Sequence, residues 1–163
     1  MECLQEEPGI HWILLGDGPL KAWLDEEVRL HRWEGYVELP GRKPATELHA
    51  WYAKADATLL SLGKGAALAR TIPSRLQGYL AAGKLILVSA DGEVARVVAE
   101  AGAGFCVPAG SPDKLASIIL QARQLDRFQR KEIGLRGRDY FLTHFSKEVC
   151  INAINSCIAP RAQ

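Results

Sequence analysis

Residues 71–90 read TIPSRLQGYLAAG and then KLILVSA, a stretch that predicts a helix leading directly into a buried strand. Pro73 has a fixed φ angle and no N–H group, so it suits the start of a helix, where amide donors have no intrahelical partner. Apolar side chains then recur at helical spacing, at Leu76, Tyr79 and Leu80. Gly83 ends the helix, and the apolar run 85–88 is typical of a strand inside a parallel sheet.

The start of this predicted helix is suited to binding an anion. The backbone amides of Ser74 and Arg75 lack partners in a first turn, and the positive end of the helix dipole lies beside them. The hydroxyl of Ser74 and the guanidinium of Arg75 add polar groups at the same place. An ordinary helix start in an α/β domain has the same features, so these residues alone leave both interpretations open.

Strand-like and helix-like patterns alternate along the chain. Strands are predicted near residues 11–15, 36–39, 57–61, 84–88 and 104–107. This alternation favours the α/β class, with a doubly wound, Rossmann-like parallel sheet covered by helices on both faces. In such a sheet, ligands bind at the carboxyl ends of the strands. We expect the sheet domain to span residues 1–123 and a C-terminal helical segment to span 124–163 and pack on it.

The composition argues against several kinds of partner. The 163 residues carry a formal net charge of +1, from 20 basic and 19 acidic side chains. Like charges are not clustered, so we expect no binding to nucleic acid and no lipid-binding basic patch. No apolar run approaches the roughly 20 residues of a transmembrane helix. The N-terminal residues do not have the pattern of a signal peptide, so we expect a cytoplasmic location.

Several familiar motifs are incomplete. Gly16, Asp17 and Gly18 follow a predicted strand as in a dinucleotide fingerprint, but Lys21 stands where the third glycine would be. An NAD(P) site is therefore not favoured, and the sequence has neither a P-loop nor a nucleophile elbow. The histidines and cysteines lack metal-ligand spacing, so no metal site is expected. The cysteines are expected to be reduced, buried thiols; they are Cys3, Cys106, Cys150 and Cys157.

Five segments of the chain carry a resemblance to a known family. They are GDGP at 16–19, LPGRKPATELHAWYAKAD at 39–56, IPSRLQGYLAAG at 72–83, DGEVAR at 91–96 and EAGAGFCVPAG at 100–110. In this order and spacing they resemble the C-terminal, nucleotide-sugar-binding domain of a GT-B glycosyltransferase of family 4. More narrowly, they are similar to the branch that builds bacterial O-antigen and capsule by moving N-acetylated sugars. The resemblance covers most of residues 11–123.

The resemblance implies one half of a GT-B fold, which binds the donor in a retaining transfer of sugar. The donor would be a UDP-sugar, and the acceptor would be linked to a lipid or a polysaccharide in bacterial surface glycan synthesis. The donor's diphosphate would lie near the predicted helix start, at Pro73, Ser74 and Arg75. The donor would also be bordered by Gly16, Asp17 and Gly18. No further cofactor, metal ion or catalytic residue is implied within this chain.

Two features depart from the family pattern. Many family 4 enzymes carry two glutamates eight residues apart, the second of which holds the donor ribose, and here Arg70 and Gly78 occupy those positions. The O-antigen branch often lacks this pair, and Gln77 is our candidate for contact with the ribose. Leu85 stands where the family usually has a proline, a change that a buried strand tolerates.

The resemblance also implies parts that we do not find in this sequence. A complete enzyme has an N-terminal Rossmann-like domain, and the first strand of the C-terminal domain is missing as well. Residues 1–7 resemble the end of the helix that follows that strand. Without it, we expect 11–15 to pair directly with 57–61, or a strand from another molecule to lie between them. The expected partners are a nucleotide sugar and an N-terminal GT-B domain or a second copy of the chain, with membrane contact through the missing half.

Three functions are compatible with these residues. The first is the donor-binding half of a glycosyltransferase, inactive alone, which predicts selective binding of UDP-type ligands. The second is a non-catalytic interaction module, which predicts a stable complex without nucleotide binding. Its docking residues would be the basic and aromatic side chains of the C-terminal helices, Arg127, Arg130, Lys131, Arg136, Arg138, Tyr140 and Phe141. The third is a fragment of a GT-B-fold UDP-GlcNAc epimerase, whose need for carboxylates in the donor cleft is poorly met.

Overall fold

The computed structural model describes residues 9–158, which form two compact units divided between Trp51 and Tyr52. Each unit contains a parallel sheet, with helices between successive strands of the chain. The predicted α/β class and its Rossmann-like alternation are therefore confirmed. No helix within residues 9–158 is both long and apolar enough to cross a bilayer. The helix end expected at residues 1–7 lies outside the described part of the chain.

The first unit has a sheet of two parallel strands. They are β1 (Trp12–Leu15) and β2 (Val37–Gly41), with helix α1 (Lys21–Leu30) between them. The core of this unit is small, and its buried side chains are Val28, Trp33 and Val37. A short 3-10 turn (Ala45–Glu47) leads to helix α2 (Leu48–Lys54), within which the boundary between the units falls.

The second unit has a sheet of three parallel strands. Their order is β3 (Ala57–Ser61), β4 (Leu85–Ser89) and β5 (Gly104–Val107). The helices are α3 (Ala66–Ala69), α4 (Ser74–Ala82), α5 (Glu93–Glu100), α6 (Pro112–Gln124), α7 (Arg127–His144) and α8 (Lys147–Ile158). All five residues of the central strand β4 are buried, which explains its unbroken apolar sequence.

The core of the second unit lies between the sheet and helices α4, α5 and α7. Leu80 of α4 and Val94 of α5 are fully buried, each 0% exposed. Helix α7 crosses very close to the end of α4, since a Cβ atom on Gly134 would lie 2.1 Å from the carbonyl oxygen of Gly83. Glycine at position 134 therefore permits the contact between these two backbones.

All five predicted strands are present, and each pairing between them is parallel. The expected direct pairing of residues 11–15 with 57–61 is wrong. Within residues 9–158, β1 is hydrogen-bonded to β2 and β3 to β4, in separate sheets. Local patterns identify strands, but the choice of partner depends on contacts between residues that are distant in sequence.

The helical end of the chain differs from the prediction at Leu125. The C-terminal helical segment is expected to begin at residue 124, but α6 extends to Gln124 and α7 begins after Asp126. The amide of Gln129 donates to the Asp126 carboxylate at 2.8 Å, and the amide of Asp126 donates to the Gln129 side chain at 2.9 Å. This capping box fixes the start of α7.

The cysteines are not all buried as expected. Cys150 and Cys157 are free and exposed, because α8 has no buried residue along its described length. Cys106 is partly buried, and burial raises the pKa of its thiol to about 11. Cys3 lies outside the described residues. The expectation of buried thiols is therefore wrong for the two cysteines of α8.

Candidate functional site

The carboxyl ends of β3, β4 and β5 meet at one edge of the second unit's sheet, because the strands are parallel. Backbone hydrogen bonds continue past the ends of the strands. The amide of Leu62 donates to the carbonyl of Ser89 at 2.9 Å, and the amide of Ala90 donates to that of Val107 at 3.1 Å. The loops that follow these strands therefore start side by side, and we call them together the carboxyl edge.

Two contacts hold the loops of the carboxyl edge against one another. Gly92 has a φ angle of +75°, and a Cβ atom there would lie 2.0 Å from the carbonyl oxygen of Ala69. Only glycine therefore lets the loop after β4 approach α3 this closely. The amide of Ala109 donates to the carboxylate of Asp91 at 3.2 Å, which links the loops after β4 and β5.

Helix α4 begins at the carboxyl edge, because it leads from the loop after β3 back to the start of β4. Pro73 directly precedes its first turn, and no side chain caps the helix. The amide of Leu76 donates to the carbonyl of Pro73 at 2.9 Å. The amides of Ser74 and Arg75 have no hydrogen-bond partner among the described residues. Both residues are exposed, so this turn offers two N–H donors to an anion.

Arg75 adds a positive charge beside these donors. Burial raises the pKa of the Tyr79 phenol, nearby Tyr52 raises it further, and Arg75 lowers it. Arg75 and Tyr79 are four residues apart on α4, so they lie on the same side of the helix. Tyr79 is fixed by a hydrogen bond to the carbonyl of Leu59 at 3.3 Å. Since Arg75 is itself exposed, its guanidinium is accessible to a ligand at the start of α4.

The predicted residues Gly16, Asp17 and Gly18 lie in the first unit, directly after β1. The amide of Gly16 donates to the carbonyl of Gly41 at 3.0 Å, so the turns after β1 and β2 are neighbours. The amide of Lys21 donates to the carbonyl of Gly18 at 3.0 Å, where α1 begins. All three predicted residues are exposed, and the other predicted site residues lie in the second unit.

The carboxyl edge also contains charged residues that the sequence did not single out for the site. Lys64, on the loop after β3, packs against the loop after β5, since a Cβ atom on Gly110 would lie 2.9 Å from the Cε atom of Lys64. Asp91 lies two residues after the end of β4. Their positions just after predicted strands are the signal that could have identified them. Gln77, which the sequence does predict, is half-buried, and its side chain has no hydrogen bond in the described part of the chain.

The described residues contain no candidate metal centre. Between residues 9 and 158, no three histidine, cysteine, aspartate or glutamate side chains are grouped as metal ligands would be. The chemistry of the carboxyl edge therefore comes from backbone amides and from the exposed cations Arg75 and Lys64, which suit an anionic ligand.

The family to which the chain belongs follows from a comparison of sequences. The model of the family described as "Glycosyl transferases group 1" matches residues 1–139. The chain therefore belongs to this family, which confirms the predicted relationship to glycosyltransferases. WcaL of Escherichia coli K12, named as a colanic acid biosynthesis glycosyltransferase, is 28% identical over 151 residues, covering 90% of this chain and 37% of WcaL. The chain thus spans little more than a third of that relative's length.

Solved structures share the fold of the chain. Anabaena HepE, solved in complex with UDP, has a TM-score of 0.74 at 18% identity, over 97% of this chain and 43% of HepE. WaaG, a glycosyltransferase involved in lipopolysaccharide biosynthesis, has a TM-score of 0.69 at 16% identity, over 92% of this chain and 38% of WaaG. At these identities the likeness shows the fold alone, an α/β arrangement of GT-B glycosyltransferase type.

Proposed function

We propose that this chain is the donor-binding half of a retaining glycosyltransferase, the C-terminal domain of a family 4 enzyme of the O-antigen and capsule type. Its ligand is a UDP-sugar. The whole enzyme transfers the sugar to a lipid- or polysaccharide-linked acceptor in bacterial surface glycan synthesis, in the cytoplasm at the inner face of the membrane. Acceptor contacts and catalytic groups belong to an N-terminal domain, so we expect no sugar transfer by this chain alone.

The domain division is part of the same proposal. Residues 1–123 form the donor-binding domain, and residues 124–163 form a helical segment that packs on it. The contact of α7 with α4, at Gly134 and Gly83, supports this packing. We also keep four further residues as predicted contacts of the donor, namely Gly16, Asp17, Gly18 and Gln77.

One observation carries the proposal of donor binding: the exposed, uncapped first turn of α4 at the carboxyl edge. The free amides of Ser74 and Arg75 and the positive end of the helix dipole attract the same negative charge. A nucleoside diphosphate carries that charge, and the planar guanidinium of Arg75 can bind two of its oxygens at once. Lys64 supplies a second exposed cation on a neighbouring loop.

The identity of the nucleotide rests on relatives. HepE is a structural relative solved with UDP, which supports a UDP-sugar as the ligand of this chain. WcaL is named for colanic acid biosynthesis, which supports a role in bacterial glycan synthesis. The dinucleotide interpretation lacks such support, because Lys21 replaces the third glycine that the fingerprint needs.

We expect Arg75→Ala to weaken the binding of UDP by about tenfold to a hundredfold, because a hydrogen bond to a charged group contributes about 1.5–3 kcal/mol. Isothermal titration calorimetry of the full chain with UDP measures this change. The matched control is Arg127→Ala, which also removes an exposed arginine, at the start of α7. Arg127 lies away from the carboxyl edge, because its neighbour Arg130 forms an ion pair with Asp56. Asp56 precedes β3 and so lies at the opposite edge of the sheet.

The control variant should bind UDP like the unchanged chain. If both substitutions weaken UDP binding equally, Arg75 acts only through the overall charge of the chain. If Arg75→Ala binds UDP as tightly as the unchanged chain does, Arg75 is not part of the site. Uridine, which lacks the diphosphate, should bind both forms with the same low affinity.

A further inference from the structure

Helix α7 has one face against the body of the second unit and one face in solvent. Gly134 and Gly137 are buried on the inner face. On the outer face, Phe128 is 82% exposed, Leu135 44% and Leu142 51%. These three side chains are seven residues apart, a spacing that returns to nearly the same side of an α-helix. They form one exposed apolar line, which we call the α7 row.

Charges of opposite sign border the two sides of the α7 row. At about 100° per residue, Lys131 and Arg138 lie roughly 50° to one side of the row, and Glu132 and Asp139 lie roughly 50° to the other. All four are exposed. The row therefore has a basic edge and an acidic edge, each again repeated after seven residues.

These four charged side chains form almost no ion pairs within residues 9–158. Glu132 has a long contact with Arg136, at 4.0 Å. Lys131, Arg138 and Asp139 have no ion-pair partner among residues 9–158. The outer face thus offers three exposed apolar side chains and a set of charges available to a partner.

The arrangement of charges selects both the partner and its orientation. The four charged side chains nearest the α7 row, two basic and two acidic, together carry no net charge. Exposed Arg127 and Arg136 lie farther round the helix, about 100° from the row on either side. When two copies of one helix pack in parallel about a two-fold axis, opposite edges of the helix face each other. Antiparallel packing would instead bring basic edge against basic edge, which is unfavourable. Only the parallel arrangement of two identical helices satisfies all four charges.

We propose that the α7 row is an interface between two copies of this chain, packed with their α7 helices parallel and in register. Phe128, Leu135 and Leu142 lie against the same residues of the second copy. Lys131 and Arg138 of each copy face Glu132 and Asp139 of the other. The interface is independent of the carboxyl edge, because α4, not α7, carries the proposed diphosphate contacts.

Sedimentation velocity of the full chain over a concentration series tests this proposal. We expect a reversible dimer that weakens as salt is added, because its ion pairs are exposed. Leu135→Glu should abolish the dimer, since it buries two like charges at the centre of the interface. Leu30→Glu, at a 68% exposed leucine of α1, is the matched control and should leave the dimer unchanged.

A charge exchange tests the pairing of the edges. The double variant K131E/R138E has two acidic edges, and the double variant E132K/D139K has two basic edges. Each should associate with itself about tenfold or more weakly than the unchanged chain. An equal mixture of the two should form a mixed dimer, because every edge then faces an edge of opposite charge.

Disulfide formation tests the orientation. In a chain whose Cys3, Cys150 and Cys157 are replaced by serine, Leu142→Cys should cross-link two copies on oxidation, since parallel packing brings position 142 against itself. Antiparallel packing would bring position 142 against Phe128, and no such cross-link would form.

Three results of these experiments would overturn the proposal. They are a chain that stays monomeric at all concentrations, a dimer that survives Leu135→Glu, and a mixture of the K131E/R138E and E132K/D139K variants that stays monomeric. Binding of monomers to anionic vesicles through Leu135 would likewise overturn it.

Discussion

Gly134→Ala is expected to destabilise the chain by about 1–3 kcal/mol, the usual cost of overpacking a well-packed contact. The added Cβ atom would lie 2.1 Å from the carbonyl oxygen of Gly83 and 2.6 Å from its carbonyl carbon. Both are backbone atoms, so no change of rotamer relieves the contact. Within a helix, exchange of glycine for alanine would otherwise stabilise by about 1 kcal/mol, and the loss must exceed that gain.

Gly78→Ala is the matched control, because Gly78 also lies inside a helix of the second unit. Its added Cβ atom would lie 3.5 Å from the hydroxyl oxygen and 3.9 Å from a ring carbon of Tyr52, both ordinary van der Waals distances. We expect this variant to be as stable as the unchanged chain or up to about 1 kcal/mol more stable. Urea unfolding followed by circular dichroism measures both changes. A Gly134→Ala chain as stable as the Gly78→Ala chain would contradict the close crossing of α7 and α4.

The second large effect is expected at Leu80, a fully buried residue of α4. Leu80→Ala should destabilise the chain by about 2–5 kcal/mol, because it removes buried apolar atoms and leaves a cavity. Gly137→Ala should also destabilise, since its Cβ atom would lie 2.9 Å from the Cβ of Ala103 and 3.2 Å from a methyl carbon of Leu80. The two changes therefore act on the same contact between α4 and α7.

A double-mutant cycle measures that coupling. In the Leu80→Ala background the leucine methyl is gone, and the new Cβ at position 137 occupies part of the cavity. The double variant should therefore lose less stability than the sum of the single losses, by about 0.5–3 kcal/mol. Losses that add to within about 0.5 kcal/mol would contradict the contact between these residues.

The local features of the fold are predictable because each depends on neighbouring residues. Pro73 and Gly83 delimit α4, and the unbroken apolar sequence of β4 reflects burial on both faces. The capping box of Asp126 and Gln129 also has a local signature, an acceptor followed three residues later by glutamine, but the predicted start of the helical segment at residue 124 did not take it into account. Helix α3 is only four residues long, too short for a periodic pattern to indicate it.

The features that the sequence does not reveal depend on distant residues. The pairing of β1 with β2 and not with β3 is one, since strand runs of similar composition can pair in several ways. The approach of Gly92 to Ala69 is another, because these residues lie far apart along the chain and only the folded sheet brings their loops together. The candidate site is predictable only in part. The helix start at Ser74 and Arg75 can be predicted from neighbouring residues, whereas the hydrogen bond between Asp91 and Ala109 depends on the assembled sheet.

The central claim is that the start of α4 holds the diphosphate of a nucleotide sugar, and amide NMR of the nitrogen-labelled full chain during a titration with UDP tests it most directly. The expected result is a saturable set of shifts at the amides of Ser74 and Arg75 and in the loops after β4 and β5, with α7 unaffected. Uridine at the same concentrations should leave Ser74 and Arg75 unshifted. No saturable shift at these two amides, or equal shifts with uridine, would contradict the account.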